Sequence, residues 1–268
     1  MPSSVFVKVW GEYACFTRPE LKVERLSYPI MTPSAARGVL DAILWKPQMI
    51  WHVRSITALV RWWLPDGASR RPYEFLGVRR NEIQDKIAPR TVSGWMAEPE
   101  TCEPYLTDSA GRESVQGQHR TQRNTLALRD VAYVIEATPL LTKKANQPRA
   151  KPEDIDEPAG PDSVAKYVAM FQRRVERGQC FHRPYLGCRE FACNFAPVDG
   201  SEQPVDWNES LGLMLYDIQF GEANTPAFFH AEVRLGVLHC DTLAPGRSGE
   251  PPIKVHGWAQ TAESEVPA

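Results

Sequence analysis

No run of apolar residues in this sequence approaches 18, so no helix able to cross a bilayer is expected. The first ten residues, MPSSVFVKVW, lack a basic segment followed by a long apolar one, which argues against an export signal. The motifs G-x-x-x-x-G-K-[ST], H-E-x-x-H and G-x-S-x-G are all missing. Their absence speaks against a P-loop NTPase, a zincin protease and an α/β-hydrolase. The six cysteines (Cys15, Cys102, Cys180, Cys188, Cys193, Cys240) include no C-x2-C pair. Cys180-x-His182-x5-Cys188-x4-Cys193 places four soft ligands close together, but without that knuckle buried, inert, reduced thiols are expected instead of zinc. A soluble, cytoplasmic protein with neither metal nor cofactor is the expectation.

What is present suits a globular mixed α/β protein. The 268 residues are 43% hydrophobic and 10% aromatic, enough for a sizeable core, and 23 prolines argue against one long helical bundle. Residues 4–10 alternate, with Val5, Val7 and Val9 on one face of a strand. Thr32-Pro33 reads as the cap and first position of a helix whose apolar side carries Val39, Leu40, Ile43 and Leu44, with Pro47 as its stop. Residues 49–64 and 131–138 have strand composition. The Pro-rich, charge-dense stretch 143–162 reads as a loop. A second helix then starts at Asp162 or Ser163 and ends at Gly178, followed by a strand over 191–196. This β-α-β-β-α-β order predicts an α+β, ferredoxin-like fold of the kind that underlies RNA-recognition motifs. Residues 211–220 and 227–239 read as an antiparallel pair in a small C-terminal β-sheet domain. The chain thus divides into 1–200 and 201–268. Residues 70–125 are too long for a simple connection and leave room for inserted hairpins.

Charge is unevenly spread. The net charge is −2, yet residues 201–268 carry ten acids and three bases. The second helix and its sequel run the other way: between 166 and 189 stand Lys166, Arg173, Arg174, Arg177, Arg183 and Arg189 against the single acid Glu176. At 100° per residue Lys166, Arg173 and Arg177 cluster opposite the apolar stripe of Val164, Val168, Phe171 and Val175. A solvated helix face normally intersperses acids, and this one scarcely does, so a phosphate-binding surface is expected. Arg79-Arg80-Asn81 and His119-Arg120-Thr121-Gln122-Arg123 add bases beside amide and hydroxyl donors. Trp45, Trp51, Trp62 and Trp63 offer rings for base stacking or for the core.

Six ordered segments carry a resemblance: Gly11–Thr17 (GEYACFT), Leu26-Ser27-Tyr28, Trp45-Lys46-Pro47, Arg79-Arg80-Asn81-Glu82, Val131-Ala132-Tyr133 and Leu186–Phe191 (LGCREF). In order and spacing over roughly 4–240 they resemble the subtype I-C form of the fifth CRISPR-associated (Cas) protein family. The resemblance implies a metal-independent endoribonuclease that cuts the repeat hairpin of CRISPR precursor RNA. It then stays on the 5′ handle within the interference complex, whose other subunits are further partners. Such cleavage uses the RNA's own 2′-OH and gives a 2′,3′-cyclic phosphate. It needs a group to take the 2′-OH proton and a cation for the phosphorane. The family's Tyr before Trp-Lys-Pro falls on Leu44, and its Lys-His pair falls on Lys166-Tyr167. Lys166 is therefore the expected charge-stabilising residue. Tyr167 is the expected catalytic partner, with Tyr28, His119 and His182 as alternatives. Arg79, Arg80, Arg123, Arg173, Arg177, Arg189 and Trp45 are the expected RNA contacts. The rival reading, suggested by Leu44 and Tyr167, is a non-catalytic 5′-handle scaffold that also binds double-stranded DNA.

Overall fold

A computed structural model describes residues 4–21, 23–83, 88–102, 120–146, 162–219, 224–245 and 251–257. The first strand, β1 (Val5–Ala14), buries Val5, Val7 and Val9 as the alternation predicts. After the short β2 (Arg25–Leu26) comes α1 (Pro33–Ile43), capped by Thr32, whose hydroxyl accepts from the Ala35 N–H at 3.2 Å. Its buried face holds Ala36, Val39, Leu40 and Ile43.

Next come β3 (Met49–Ala58), β4 (Phe75–Ile83), α2 (Pro89–Ala97) and β5 (Arg120–Leu141). Then α3 (Val164–Glu176), β6 (Asn194–Ala196), β7 (Glu209–Gln219), β8 (Thr225–Arg234), β9 (Val237–His239) and β10 (Val255–His256) complete the described elements. All the strands join one curled sheet with the path β10-β8-β9-β3-β5-β1-β6; β2 and β4 pair with β5, and β7 with β8. Every pairing is antiparallel except that of β2 with β5.

Several expected boundaries move, each for a physical reason. The strand expected at 131–138 is 22 residues long, because its first half pairs with β4 and its second with β1 and β3. Asp130 takes a left-handed φ of 48° near the junction of the two halves. Within the unassigned region 70–125, β4 covers 75–83 and pairs with the start of β5, and α2 covers 89–97. The expected strand 49–64 stops at Ala58, and a turn closes where Leu64 N–H donates to Arg61 O. The strand expected at 191–196 shrinks to 194–196, because a turn precedes it in which Leu186 N–H donates to Phe191 O and Phe191 N–H donates to Cys188 O. Of the expected loop 143–162, residues 143–146 form a 3₁₀ turn. In the C-terminal part β7 and β8 pair as expected, and β9 then continues the hydrogen bonding onto β3.

α1 packs on β3, and α3 packs on β5 and β1 while touching α1. Between helices and sheet lie Trp51 and Phe171, their rings edge to face at 4.9 Å, among Val7, Val9, Leu40, Ile43 and Ile135. Burying an aliphatic or aromatic side chain of this size stabilises the fold by about 1.5–3 kcal/mol.

Candidate nucleic-acid interface

Local sequence fixes both ends of α3. The Ser163 hydroxyl accepts from the Lys166 N–H at 3.2 Å, the N-cap bond that Ser favours. At the other end Gly178 takes φ 62°, its N–H donating to Val175 O while Gln179 N–H donates to Arg174 O. That pair of bonds is the Schellman arrangement, which requires a left-handed residue after the C-cap. The buried stripe is Val168, Phe171 and Val175, joined by Tyr167.

Tyr167 is only 1% exposed, so its phenol does not share the solvent face of Lys166. Leu44 is equally buried, its carbonyl accepting from Trp51 Nε1 at 2.9 Å. Lys166 lies outside this layer, its Nζ 3.1 Å from Asp162 Oδ1 one turn back, and the Asp162 side chain is almost wholly buried. A helix-spaced acid–base pair of this kind holds the ammonium in place. Of the alternative proton acceptors, Tyr28 is buried, accepting from the Leu215 N–H at 3.2 Å. His119 lies outside the described residues. His182 is exposed, its ring stacked against Tyr185.

The arginines of α3 divide into two roles. Arg174 is half-buried and donates to Ile43 O at 2.7 Å, satisfying a carbonyl at the C-terminus of α1. Arg173 and Arg177 are exposed and have no carboxylate partner among the described residues. The chain then crosses the end of α1, where Phe181 N–H donates to Ala42 O at 2.8 Å. Two rings on this stretch and just past α1 stay exposed: Phe181, 82% exposed, and Trp45, 61% exposed. Bases beside exposed rings suit a single-stranded nucleic acid, whose phosphates and bases they can contact together. Asp41, one turn before Trp45, is pushed up to about 6 by burial and by Asp217, against the pull of Arg37 and His182. Trp51, by contrast, is buried and belongs to the core.

A second basic group gathers around the loop 185–191. Arg80 and Arg123 are register partners on β4 and β5, and Arg79 is exposed beside them. Arg80 donates to the Thr125 hydroxyl at 3.1 Å and pairs with Glu190 at 3.4 Å. Arg25, which sequence reasoning missed, pairs with the same carboxylate at 3.2 Å. Arg189 is exposed and without an acidic partner among the described residues. A cavity of about 550 Å³ is lined by Thr17, Arg25, Tyr185, Gly187, Cys188, Arg189 and Glu190. A neighbouring one of about 320 Å³ shares Thr17, Tyr185 and Gly187 and reaches Thr32 and Ser34 at the start of α1. Residues 178–191 thus connect the end of α3 to the β4–β5 hairpin. The four-ligand stretch does not act together: Cys180 is exposed, Cys188 and Cys193 are buried, and among the described residues no three His, Cys, Asp or Glu side chains converge. The pairing of Asp162 with Lys166, and the exposure of Phe181, also escaped sequence reasoning. The first could have been found from the acid four residues before Lys166, whereas the second carried no signal.

Comparison with known proteins identifies the fold and the family. Two solved structures share the fold: one titled "Crystal Structure of CRISPR-associated Protein" (TM-score 0.54, 18% identity, covering 94% of this chain and 97% of that one), and the functionally uncharacterized protein SMU1763c from Streptococcus mutans (0.51, 14%, 89% and 92%). By sequence, the chain is 40% identical over 245 residues to the CRISPR pre-crRNA endoribonuclease Cas5d of Mannheimia succiniciproducens, covering 89% of this chain and 95% of that protein. It is 38% identical over 251 residues to the protein of the same name from Thermus thermophilus, covering 87% and 89%. The family model Cas_Cas5d, described as CRISPR-associated protein (Cas_Cas5), matches residues 4–241, and the chain therefore belongs to the Cas5d family of CRISPR-associated proteins.

Proposed function

We propose that this protein is a metal-independent endoribonuclease that cuts CRISPR precursor RNA within the repeat and stays bound to the 5′ handle as a subunit of the type I-C interference complex. The observation that carries the reading is the 38–40% identity, over most of both chains, to two relatives named pre-crRNA endoribonucleases. The exposed bases Arg173, Arg177 and Arg189, without acidic partners among the described residues, and the exposed Trp45 support it as RNA contacts, together with Arg79, Arg80 and Arg123 on β4 and β5. The RNA-recognition sheet is ferredoxin-like in this reading: β3-β5-β1-β6 is the order expected for β1-α1-β3-β5-α3-β6, with residues 201–268 as the appended β unit. The setting is the cytoplasm, where transcript and partners meet. Among the described residues no helix is long and apolar enough to cross a membrane.

In the cleavage step the 2′-oxygen attacks the adjacent phosphorus in line, and Lys166, steadied by Asp162, offsets the charge that develops on the phosphorane. Tyr167 fixes the first turn of α3 from inside. With Leu44 aliphatic and Tyr167 turned inward, the 2′-OH proton passes to solvent. The single-turnover rate should therefore rise with pH from 6 to 9 without the plateau that a titrating general base would impose. A second reading, the non-catalytic 5′-handle scaffold that also holds double-stranded DNA, is favoured by the burial of those same two side chains. Labelled repeat RNA incubated with the protein in EDTA separates the two. A single cut ending in a 2′,3′-cyclic phosphate supports the enzyme, and tight binding without a cut supports the scaffold.

A further inference from the structure

Beside the loop 185–191 the end of β1 runs into Cys15, whose N–H donates to Leu186 O at 3.0 Å. Gly187 follows with φ 82°, and a Cβ there would lie 2.1 Å from the Cys15 carbonyl oxygen. Only glycine permits that approach. It lays the next residue, Cys188, against Cys15, the two side chains packing around Ala127. Cys188 Sγ is 3.5 Å from Cys15 O, and the Thr17 hydroxyl touches both sulfurs, at 3.6 Å from Cys15 and 3.9 Å from Cys188. Arg25 Nη1 stands 3.2 Å from Cys188 Sγ. Cys188 is among the residues that line the cavity with Arg25, Tyr185 and Arg189.

We infer that Cys188 and Cys15 form a hydroperoxide-sensitive dithiol, with Cys188 as the attacking sulfur and Cys15 as the resolving one. A guanidinium in contact with one sulfur, a second thiol packed against it and an adjoining cavity are what selective thiol oxidation requires. The electrostatics agree with the geometry. A hydrogen bond from Cys15, with Arg25 assisting, pushes the Cys188 thiol down from its ordinary value, while the same bond and burial push Cys15 up. In the first step the Cys188 thiolate attacks one oxygen of the hydroperoxide. The S–O bond forms, the O–O bond breaks, and the departing oxygen takes a proton and leaves as water or alcohol. In the second, Cys15 sulfur attacks the Cys188 sulfenic acid and expels hydroxide, which takes the Cys15 proton and leaves as water. The two thiols lose two electrons, and the hydroperoxide gains them.

The test is chemical and independent of RNA cleavage. The full chain is treated with hydrogen peroxide, alkylated and digested without reduction. A peptide joining Cys15 to Cys188, lost on adding dithiothreitol, is the expected product. Cys15→Ala should leave a sulfenic acid on Cys188 that dimedone tags, and Cys188→Ala should give neither product. At pH 6 the larger thiolate fraction, discounted for lower intrinsic nucleophilicity, makes Cys188 react on the order of 10-fold faster in the native protein than in urea. Arg25→Gln should shrink that ratio. Equal rates in native and denatured protein, or overoxidation of Cys188 without any link to Cys15, would overturn the inference.

Discussion

At the first turn of α3 the cation is fixed: Lys166 is held by a nearly buried Asp162, over a capping Ser163 and an inward Tyr167. At the last turn Arg173 and Arg177 are exposed and have no acidic partner among the described residues, and Phe181 and Trp45 are exposed too. One helix thus carries charge in two ways. A fixed ammonium suits the stabilisation of charge at one place, since its orientation costs nothing at the moment of reaction. Free guanidinium groups suit contact with a flexible polyanion, where gain comes from released counterions and geometry matters less.

The comparison breaks most sharply at Lys166. Lys166→Ala should lower single-turnover cleavage in EDTA on the order of 10²-fold or more. RNA affinity should change little, so cleavage and binding are measured separately. If the variant binds and cuts like the parent, the fixed end of α3 is not the catalytic one. At the other end, Arg173→Glu with Arg177→Glu should weaken repeat-RNA binding and reduce the slope of log K against log salt by about 0.7–0.9 per lost contact. A salt titration that leaves the slope unchanged would place the RNA elsewhere.

Asp41 sharpens the same contrast through stability. Its folded-state value near 6 lies above the ordinary carboxyl range, so the protonated form is the one the fold favours. The stability linked to it is complete below about pH 4 and is lost as pH rises through 6. Asp41→Asn should therefore gain on the order of 1–2 kcal/mol in urea unfolding at pH 7.5 and nothing at pH 4. Equal gains at both pH values would mean that the carboxyl is not perturbed. The smallest effect belongs to Tyr167→Phe, which keeps the buried ring. Cleavage should stay within about 3-fold of the parent, because only a hydroxyl acting on the substrate would cost the 10²-fold or more of general acid–base catalysis.

Much of this is legible in the sequence alone. Thr32-Pro33, Ser163 and Gly178 announce helix ends through local chemistry, and Val5, Val7 and Val9 announce a buried strand face through alternation. The polar first half of β5 was not legible. Arg123 and Asn124 face β4 across a solvated hairpin, so no apolar alternation marks them. The division of labour among the arginines was hidden too. Arg173, Arg174 and Arg177 look alike in sequence, and only the position of the Ile43 carbonyl makes Arg174 structural. Likewise the helical wheel put Lys166 on the outer face correctly, but Tyr167, one residue on, turns inward because the apolar stripe is wider than its four marked positions.

The length of β5 has a consequence for biosynthesis. Val5 pairs with Ala137 and Val9 with Tyr133, so β1 leaves the ribosome long before its partner exists. At about 5–20 residues per second that wait lasts on the order of 10 s. During it, a strand that buries three valines in the finished protein has nothing to pair with, and its other edge waits longer still, for Asn194–Ala196. Pairings this distant in sequence also slow folding once the chain is complete, because loop closure must precede any gain. The strand that ties the sheet together therefore makes the nascent chain dependent on holding Val5–Ala14 apart from its neighbours.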